Sequence, residues 1–356
     1  MARMKINLNA GTLSPTPAPV LAAVTRLRQM QSDQPTDFLA RQTAPRLKRS
    51  RTALAKYLRV KPDDLLLLPN VTFAINLAVS SLKLPRGSEI LMTDHEYGAM
   101  VYCWRRWAKV RGWKLRQFKL PYTTEDPGEI VAAVEKSIRP ATRALFFSHV
   151  TSTTGLVLPV AELCRLARRR GIISVVDGAH AVGMVPVELN ADFYGANCHK
   201  WLMAPLGCGF LHVRPKYKTM LQPLVTSWGW AGKDWQFNLE FHGCNDRCPQ
   251  MVLPEVMAFR KSLGGDAAIR NHARQLTEYA RTRIGLKPVT PRNPVLSGSM
   301  IAFELPAKHP LVKKNTLWAK HGIECPVTRA NKKHYLRVSA AWFNTKAEID
   351  QLAKLV

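Results

Sequence analysis

The sequence has few acidic residues and few cysteines, and it lacks any long apolar run. Its 356 residues include 25 Asp and Glu against 52 Lys and Arg, for a formal net charge of +27. The 7 cysteines are scattered without paired spacing, and an odd number argues against a disulfide framework. The first residues, MARMKINLNAG, contain no apolar segment of the kind that signal peptides carry, and no run approaches membrane-spanning length. We therefore expect a cytoplasmic protein without a membrane partner.

Positive charge is concentrated in three stretches, at residues 41–51, 105–116 and 165–170. A basic surface attracts nucleic acid through counterion release. However, no helix-turn-helix signature, zinc-finger spacing or aromatic RNA-binding motif accompanies these stretches. We favour a solvated basic surface and expect no nucleic-acid partner, although a basic nucleic-acid-binding protein that merely retains the fold of an enzyme stays open as a remote alternative.

Apolar runs alternate with amphipathic stretches over the first two-thirds of the chain. LLLLP at residues 65–69 is typical of a buried strand, and VTFAINLAVSSL directly after it is typical of a helix. Repeated strand–helix alternation indicates parallel crossovers and a sheet covered by helices. From about Pro249 the pattern changes to an α+β texture, including a predicted helix from Leu311 to Gly322. We predict a large domain over 16–248 and a smaller α+β domain over 249–356.

Two residues in the stretch from 175 to 201 have the properties that pyridoxal phosphate requires of a protein. This cofactor needs an amine to hold its aldehyde and an acid to keep its pyridine nitrogen protonated. Asp177 ends an apolar strand, where a carboxylate is costly unless it meets a cation. Lys200 follows the next strand, where desolvation favours the neutral amine that forms an imine. Either residue alone is weak evidence for pyridoxal phosphate, but the two together favour it.

The chain resembles the class V aminotransferases of fold type I, and more narrowly the isopenicillin N epimerase-like branch, which is related to cysteine desulfurases. The similarity runs from INLNAGTLSPTPAPV through LPNVTFAINLA, TDHEYGAMVYCW, SHVTSTTGLVLPV and VTSWGW to YLRVSAAWFNTKAEID. It implies a three-layer αβα fold with a mainly parallel, seven-stranded sheet and a smaller C-terminal α+β domain. It also implies that residues 1–15 pack near the active site and the small domain, and that the protein is a homodimer with active sites at the interface.

The resemblance assigns roles to individual residues. It makes Lys200 the Schiff-base lysine, Asp177 the partner of the pyridinium, and His180 a hydrogen-bond partner of the ring oxygen. The same resemblance places Asn197 and His199 at the phosphate, Ser152 near the ring oxygen, Tyr97 over the ring and Arg337 at the substrate carboxylate. Independently, Val71 and Thr72 open a helix after a strand, where free amides favour an anion such as the phosphate.

Two of these side chains also fit their roles on chemical grounds. An aromatic face such as that of Tyr97 stacks on a flat ring as well as the histidine of the desulfurases does. The planar fork of Arg337, in an otherwise apolar strand, suits a carboxylate better than a lysine would.

Cysteine positions mark two departures from the family pattern. Where relatives carry a threonine that reaches the partner subunit's cofactor phosphate, this chain offers Cys244, whose thiol is a weaker donor. The loop before Arg337 holds no cysteine, and Cys325 falls earlier in a strand-like segment, so a persulfide-forming desulfurase is disfavoured. Cys244 and Cys248 alone are a weak metal signal, and we expect no metal site.

We therefore predict an enzyme that acts at the α-carbon of an amino acid or aminoacyl-type substrate, with an epimerase or racemase favoured. Lys200 would remove the α-proton, and Tyr97 is a candidate second proton donor. An aminotransferase and a C–S or β-lyase on the same scaffold stay open, because the three reactions share their first steps and fold analogy separates them poorly. The sequence leaves the substrate's side chain and chirality open.

Overall fold

A computed structural model describes residues 5–312 and 316–356 of the chain. Its strands are β1 (Ile6–Asn7), β2 (Leu65–Leu68), β3 (Glu89–Thr93), β4 (Lys114–Phe118), β5 (Thr142–Ser148), β6 (Ile173–Asp177), β7 (Phe193–Asn197), β8 (Gly209–Val213), β9 (Met300–Leu305), β10 (Ile323–Glu324), β11 (Val327–Ala330) and β12 (Lys333–Ser339).

The helices follow the amphipathic stretches of the sequence. They are α1 (Ala18–Asp33), α2 (Pro35–Asp37), α3 (Thr43–Leu58), α4 (Val71–Ser81), α5 (Gly98–Arg111), α6 (Pro127–Ser137), α7 (Val160–Arg169), α8 (Trp235–Glu240), α9 (Cys248–Met251), α10 (Leu253–Ser262), α11 (Gly265–Arg283), α12 (Thr316–His321) and α13 (Lys346–Ala353). A π-helical segment, Phe38–Gln42, joins α2 to α3.

A seven-stranded sheet in the order β2-β8-β7-β6-β5-β3-β4 forms the centre of the molecule. Only β8 runs antiparallel to its neighbours; the other pairings in this sheet are parallel. The mainly parallel sheet predicted from the sequence is therefore confirmed. Because the carboxyl ends of the parallel strands lie at one edge, the loops after β5, β6 and β7 converge there.

The two faces of this sheet are each covered by helices, which makes the fold a three-layer αβα arrangement. Side chains in a strand point alternately to opposite faces. Leu65 and Leu67 of β2 accordingly pack in one core with α1, α3 and α7, whereas Leu66 and Leu68 pack in the other with α4 and α5. A strand buried on both faces explains why the sequence shows an unbroken apolar run there.

The C-terminal part of the chain forms a second, smaller α+β unit. Strands β11, β12 and β9 make an antiparallel sheet, and α11 and α13 pack on it through a core of their own. The N-terminal strand β1 pairs in parallel with β10, with Ile6 opposite Ile323. The predicted boundaries at 15/16 and 248/249 stay predictions, and residues 1–4 lie outside the described part of the chain.

Two further expectations concern single segments. The helix predicted from Leu311 to Gly322 corresponds to a 3₁₀ turn, Pro310–Val312, and to α12, while 313–315 lie outside the described residues. Among the residues that the structure describes, no helix has both the length and the apolarity needed to cross a membrane.

Candidate active site

A cavity of about 300 Å³ opens at the carboxyl edge of the central sheet. The N-terminal segment and strand β12 of the small sheet both contribute residues to its wall. All ten residues predicted from the sequence line it: Val71, Thr72, Tyr97, Ser152, Asp177, His180, Asn197, His199, Lys200 and Arg337. The cavity is also lined by residues to which the sequence analysis gave no role, namely Gly11, Thr12, Asn70, Ser148, Val150, Ala179 and Leu206.

The amine of Lys200 lies inside this cavity, beside an imidazole. Its Nζ donates to Nε2 of His180 over 3.3 Å. Loss of water around the amine lowers the pKa of Lys200 to about 8, and the nearby charge of Arg337 lowers it further while Asp177 opposes the shift. Burial, with the charges of Lys200 and Arg337, holds the pKa of His180 well below its usual value, so the imidazole is neutral. A neutral acceptor therefore faces a lysine that gives up its proton readily.

Asp177 ends β6 as a buried carboxylate that accepts a hydrogen bond from the backbone. Its Oδ1 accepts from the N–H of Ala179 over 2.9 Å, and only 3% of the residue is exposed. Burial raises the pKa of Asp177, against the opposing effects of the Ala179 N–H and the charge of Lys200. No ion pair with Asp177 is present among residues 5–312 and 316–356. A buried carboxylate that lacks a cation is costly, and the pyridinium of pyridoxal phosphate would supply the missing partner.

Asn197 and the first turn of α4 come together at the other end of the cavity. Oδ1 of Asn197 accepts from the N–H of Val71 over 2.9 Å. The expectation that the Val71 amide is free for a phosphate is therefore not met, because β7 supplies a side-chain acceptor to it. In the part of the chain that is described, the N–H of Thr72 has no such acceptor, and Thr72 keeps its place as a candidate phosphate donor.

His199 lies beside this helix end. Its Nδ1 is hydrogen-bonded to the carbonyl of Cys208 over 3.1 Å. Burial, with the charge of Lys200, lowers the pKa of His199 to about 4, and the side chain is neutral. With Nδ1 occupied, the imidazole can present only Nε2 to a ligand in the cavity.

Arg337, on β12, is a buried cation surrounded by neutral acceptors. Its Nη1 donates to the carbonyl of Ser152 over 2.6 Å, and Nη2 donates to Oδ1 of Asn9 over 2.8 Å. Its Nε is buried without an acceptor among the described residues. Burial lowers the pKa of Arg337 to about 10, which leaves the side chain charged at neutral pH. A charged fork without a carboxylate partner is suited to an anionic group of a ligand.

Ser152 contacts Arg337 mainly through its backbone carbonyl, while its hydroxyl lies 3.4 Å from Nη1. Tyr97 lines the cavity from the start of α5 with 51% of the residue exposed. The neighbouring His95 is buried and hydrogen-bonded to Asp94 over 2.7 Å, and it does not line the cavity. Of the rings of His95 and Tyr97, only the ring of Tyr97 is placed to contact a bound ligand.

The carboxyl group of Glu96 is a feature that the sequence analysis missed. It accepts from Oγ1 of Thr93 over 2.6 Å and from Oγ of Ser148 over 2.7 Å. Burial raises the pKa of Glu96 to about 8, and the charge of Asp177 raises it further. At neutral pH the group is therefore protonated, and Asp177 is not accompanied by a second negative charge. The sequence DHEY gives no signal of this burial.

No cysteine lines the cavity among the described residues. Cys325 is buried behind the site, where its Sγ donates to the carbonyl of Arg337 over 3.4 Å, and burial raises its pKa to about 12. Cys244 is exposed in the loop before α9. These positions leave no thiolate in the cavity to act as a nucleophile.

Comparisons with known proteins identify the family of this chain. The model of the family "Aminotransferase class-V" matches residues 6–352. The isopenicillin N epimerase of Streptomyces clavuligerus is 41% identical over 372 residues, covering 98% of this chain and 93% of the relative. A putative L-cysteine desulfhydrase of Oryza sativa subsp. japonica is 29% identical over 329 residues, covering 85% of this chain and 68% of the relative.

Solved structures give the same fold. The cystine C–S lyase C-DES, in a complex with cysteine persulfide, superimposes with a TM-score of 0.87 at 22% identity and covers 99% of this chain and 97% of that chain. A cysteine desulfurase from Thermococcus onnurineus NA1 gives 0.84 at 21% identity over 99% of this chain and 95% of that chain. At such identities the likeness concerns the fold. Through the family match and the 41% identical relative, the chain belongs to the class-V aminotransferase family and is a pyridoxal-phosphate-dependent enzyme.

Proposed function

We propose that this protein is an epimerase that inverts the α-carbon of an amino-acid-type substrate, as the name of its 41% identical relative, isopenicillin N epimerase, describes for that protein. One observation carries the proposal: a lysine of lowered pKa, a carboxylate without a cation and an arginine without an anion line the same cavity. In such a reaction the lysine would hold the aldehyde of the cofactor, the carboxylate would pair with its ring nitrogen, and the arginine would bind the carboxylate of the substrate.

The cofactor would be held from both ends. We assign Asp177 to the ring nitrogen, His180 to the ring oxygen, and Thr72, Asn197 and His199 to the phosphate, with Val71 contributing to the wall. Pyridoxal phosphate supplies an aldehyde that captures amines and a ring that takes up negative charge from the α-carbon. The negative charge of Asp177 would keep the ring nitrogen protonated, and Glu96, being neutral, adds no second negative charge beside it.

Lys200 has two tasks in this proposal. Its amine would hold the aldehyde of the cofactor in the resting enzyme, and the free amine would take the α-proton of a bound substrate. A pKa of about 8 leaves a useful neutral fraction near physiological pH, which a lysine at its ordinary value would lack. The neutral His180, 3.3 Å away, accepts a hydrogen bond from the amine and thereby orients it.

Inversion also needs a proton donor on the opposite side of the α-carbon from Lys200. We assign this to Tyr97, the exposed phenol on the cavity wall. Arg337 would hold the substrate carboxylate and so fix which face of the α-carbon meets the lysine.

The second candidate is a C–S or β-lyase, which the putative L-cysteine desulfhydrase relative favours. Incubation with isopenicillin N, with chirality followed by circular dichroism, and incubation with L-cysteine, with sulfide and pyruvate measured, separate the two. Inversion without sulfide release supports the epimerase, whereas sulfide release without inversion replaces it by the lyase. Transamination would instead release a keto acid from the substrate.

The covalent link has its own test. Borohydride reduction of the cofactor-loaded protein, followed by digestion and mass spectrometry, should place a pyridoxyl group on the peptide that contains Lys200. An adduct on another lysine would contradict the assignment.

We also propose that the protein is a cytoplasmic homodimer with active sites at the interface between the subunits. Exposed aromatic side chains support an interface, since Trp228 is 86% exposed and Trp230 is 55% exposed. Sedimentation equilibrium should give twice the chain mass. A monomer that retains activity would rule out a site shared between subunits.

A further inference from the structure

Asn9 lies between the charged fork of Arg337 and a carboxylate. Its Oδ1 accepts from Nη2 of Arg337 over 2.8 Å and from Oγ1 of Thr12 over 2.8 Å. Its Nδ2 donates to Oε1 of Glu324 over 2.9 Å. The residue is 6% exposed, so this arrangement is enclosed by protein. The oxygen of this one amide thus contacts the guanidinium, and its nitrogen contacts the carboxylate.

The amide lies between two groups of opposite charge and contacts both of them. A guanidinium and a carboxylate in contact form a strong bidentate pair, which would occupy the fork of Arg337. The direct acceptors of Arg337 are the neutral oxygens of Ser152, Asn9 and Thr12. The hydrogen bond to Glu324 also fixes the amide, because a carboxylate accepts only, and the Nδ2 side of Asn9 must face it.

The backbone next to Asn9 is pressed against the same guanidinium. A Cβ atom on Gly11 would lie 3.2 Å from Nη2 of Arg337 and 2.8 Å from Oγ of Ser339. The N–H of Ser339 donates to the carbonyl of Leu8 over 2.8 Å, which ties the segment to β12. The N-terminal segment therefore has little freedom to shift, and the position of Asn9 relative to Arg337 is set by packing.

We propose that Asn9 is a positioning residue for carboxylate recognition, which orients the Arg337 fork toward the cavity and keeps Glu324 from neutralising it. The inference rests on the proposed function, in which Arg337 binds the substrate's carboxylate. It concerns the choice between amino acids and simple amines, since a fork free of anions favours a ligand that carries a carboxylate next to its amine.

The test compares L-alanine with ethylamine, which has the same skeleton without the carboxylate. Each is titrated into cofactor-loaded protein while the cofactor absorbance is followed, and the ratio of the two dissociation constants is the carboxylate preference. Asn9→Asp places an anion directly on Nη2 and should reduce this preference at least tenfold. Glu324→Gln is the matched control; its side-chain oxygen still accepts from Asn9, and we expect the preference to stay within about threefold of wild type.

A double variant separates electrostatics from misfolding. In Asn9→Asp/Glu324→Gln, the glutamine amide donates to the new carboxylate, which relieves the repulsion between two acidic groups. We expect a folded protein with normal cofactor absorbance and a preference as low as that of Asn9→Asp. A double variant with the wild-type preference would overturn the inference.

The remaining outcomes are also decisive. Equal responses of the wild type to L-alanine and ethylamine, including no response to either, would contradict the inference, as would a loss in Glu324→Gln as large as that in Asn9→Asp. A protein that never acquires cofactor absorbance would remove the proposed function together with the inference. Normal absorbance with an unchanged preference in Asn9→Asp removes the inference alone.

Discussion

The amine of Lys200 and Nε2 of His180 face each other over 3.3 Å with no carboxylate between them. Burial favours the neutral form of both groups, which lowers the pKa of Lys200 to about 8 and keeps His180 uncharged. Lys200 therefore loses its proton easily, and the neighbouring His180 does not take it up. The proposed reaction needs such an amine, because Lys200 has to alternate between the neutral and the protonated form.

The first prediction concerns the stability of the cofactor-free protein. The pKa of Lys200 is about 8 in the folded state, against an ordinary value of 10.5. At pH 7 both states carry the proton, so only the folded state bears the cost of a buried ammonium. Lys200→Met should therefore be more stable than wild type at pH 7, by about 3 kcal/mol, since one pKa unit corresponds to about 1.4 kcal/mol.

The sign of the pH dependence follows from the same cycle. As pH rises through about 8 the folded lysine loses its proton, and by about 10.5 the unfolded lysine has lost it too, so the advantage of Lys200→Met should shrink across this window. Urea unfolding of both proteins at pH ~7, ~9 and ~10.5 measures this difference in stability. The exposed Lys109→Met serves as the control. A difference that grows with pH would contradict the assignment of a buried ammonium.

The second prediction concerns the charge at the end of β6. Asp177→Asn keeps the shape and the acceptor for the Ala179 N–H but removes the negative charge. We expect the protein still to bind the cofactor through Lys200, with kcat reduced at least about 100-fold, because the ring nitrogen is no longer held protonated. Steady-state kinetics and cofactor absorbance provide the two readouts.

Asp126→Asn is the matched control for this change. Asp126 caps α6 through an oxygen that asparagine also has, and it does not line the cavity. The activity of Asp126→Asn should equal that of wild type. If Asp177→Asn retained wild-type kcat, the carboxylate would have no part in activating the cofactor.

The layered fold was predictable because its signals are local. The run of leucines in β2 and the helix after it follow from apolar spacing alone, and the resemblance to a known family covered nearly the whole chain. Lys200 and Asp177 were likewise found from strand ends. Burial on both faces of parallel strands gives continuous apolar runs, which are easy to recognise.

Contacts between distant residues were not predictable in the same way. The N–H of Val71 meets an acceptor 126 residues away, on Asn197, and Arg337 meets Asn9 across 328 residues. The sequence alone indicated that the Val71 N–H and the Arg337 guanidinium could bind ligands. In the fold, Asn197 accepts a hydrogen bond from the Val71 N–H, whereas only some of the N–H groups of Arg337 have acceptors among the described residues. The protonated state of Glu96 depends equally on side chains that packing brings to it.

The third prediction concerns the phenol on the cavity wall. Tyr97→Phe retains the aromatic ring but removes the hydroxyl proposed as the second proton donor. General acid catalysis is typically worth about 10²- to 10⁴-fold, so epimerisation should slow by at least about 100-fold while cofactor binding changes little. Tyr102→Phe, an exposed position on α5, is the control. Equal losses of epimerisation and cofactor affinity would assign Tyr97 to stacking alone.

The fourth prediction concerns the shape of the carboxylate-binding group. Arg337→Lys keeps the charge but replaces a planar fork of three nitrogens by a single nitrogen, which cannot reach both Ser152 and Asn9 and also present two parallel N–H groups to a substrate carboxylate. We expect KM for isopenicillin N to rise about 10- to 100-fold, with a smaller change in kcat, since losing one bidentate contact to a charged group costs about 1.5–3 kcal/mol.

Arg329→Lys on β11 makes the same exchange at an exposed position of the same small sheet and should leave both constants unchanged. The distinction between KM and kcat matters here because Arg337 is assigned to binding and orientation, while proton transfer is assigned to Lys200. If kcat fell more than KM rose, the arginine would act mainly after the substrate is bound, by setting the angle of the α-carbon toward Lys200 rather than by retaining the carboxylate.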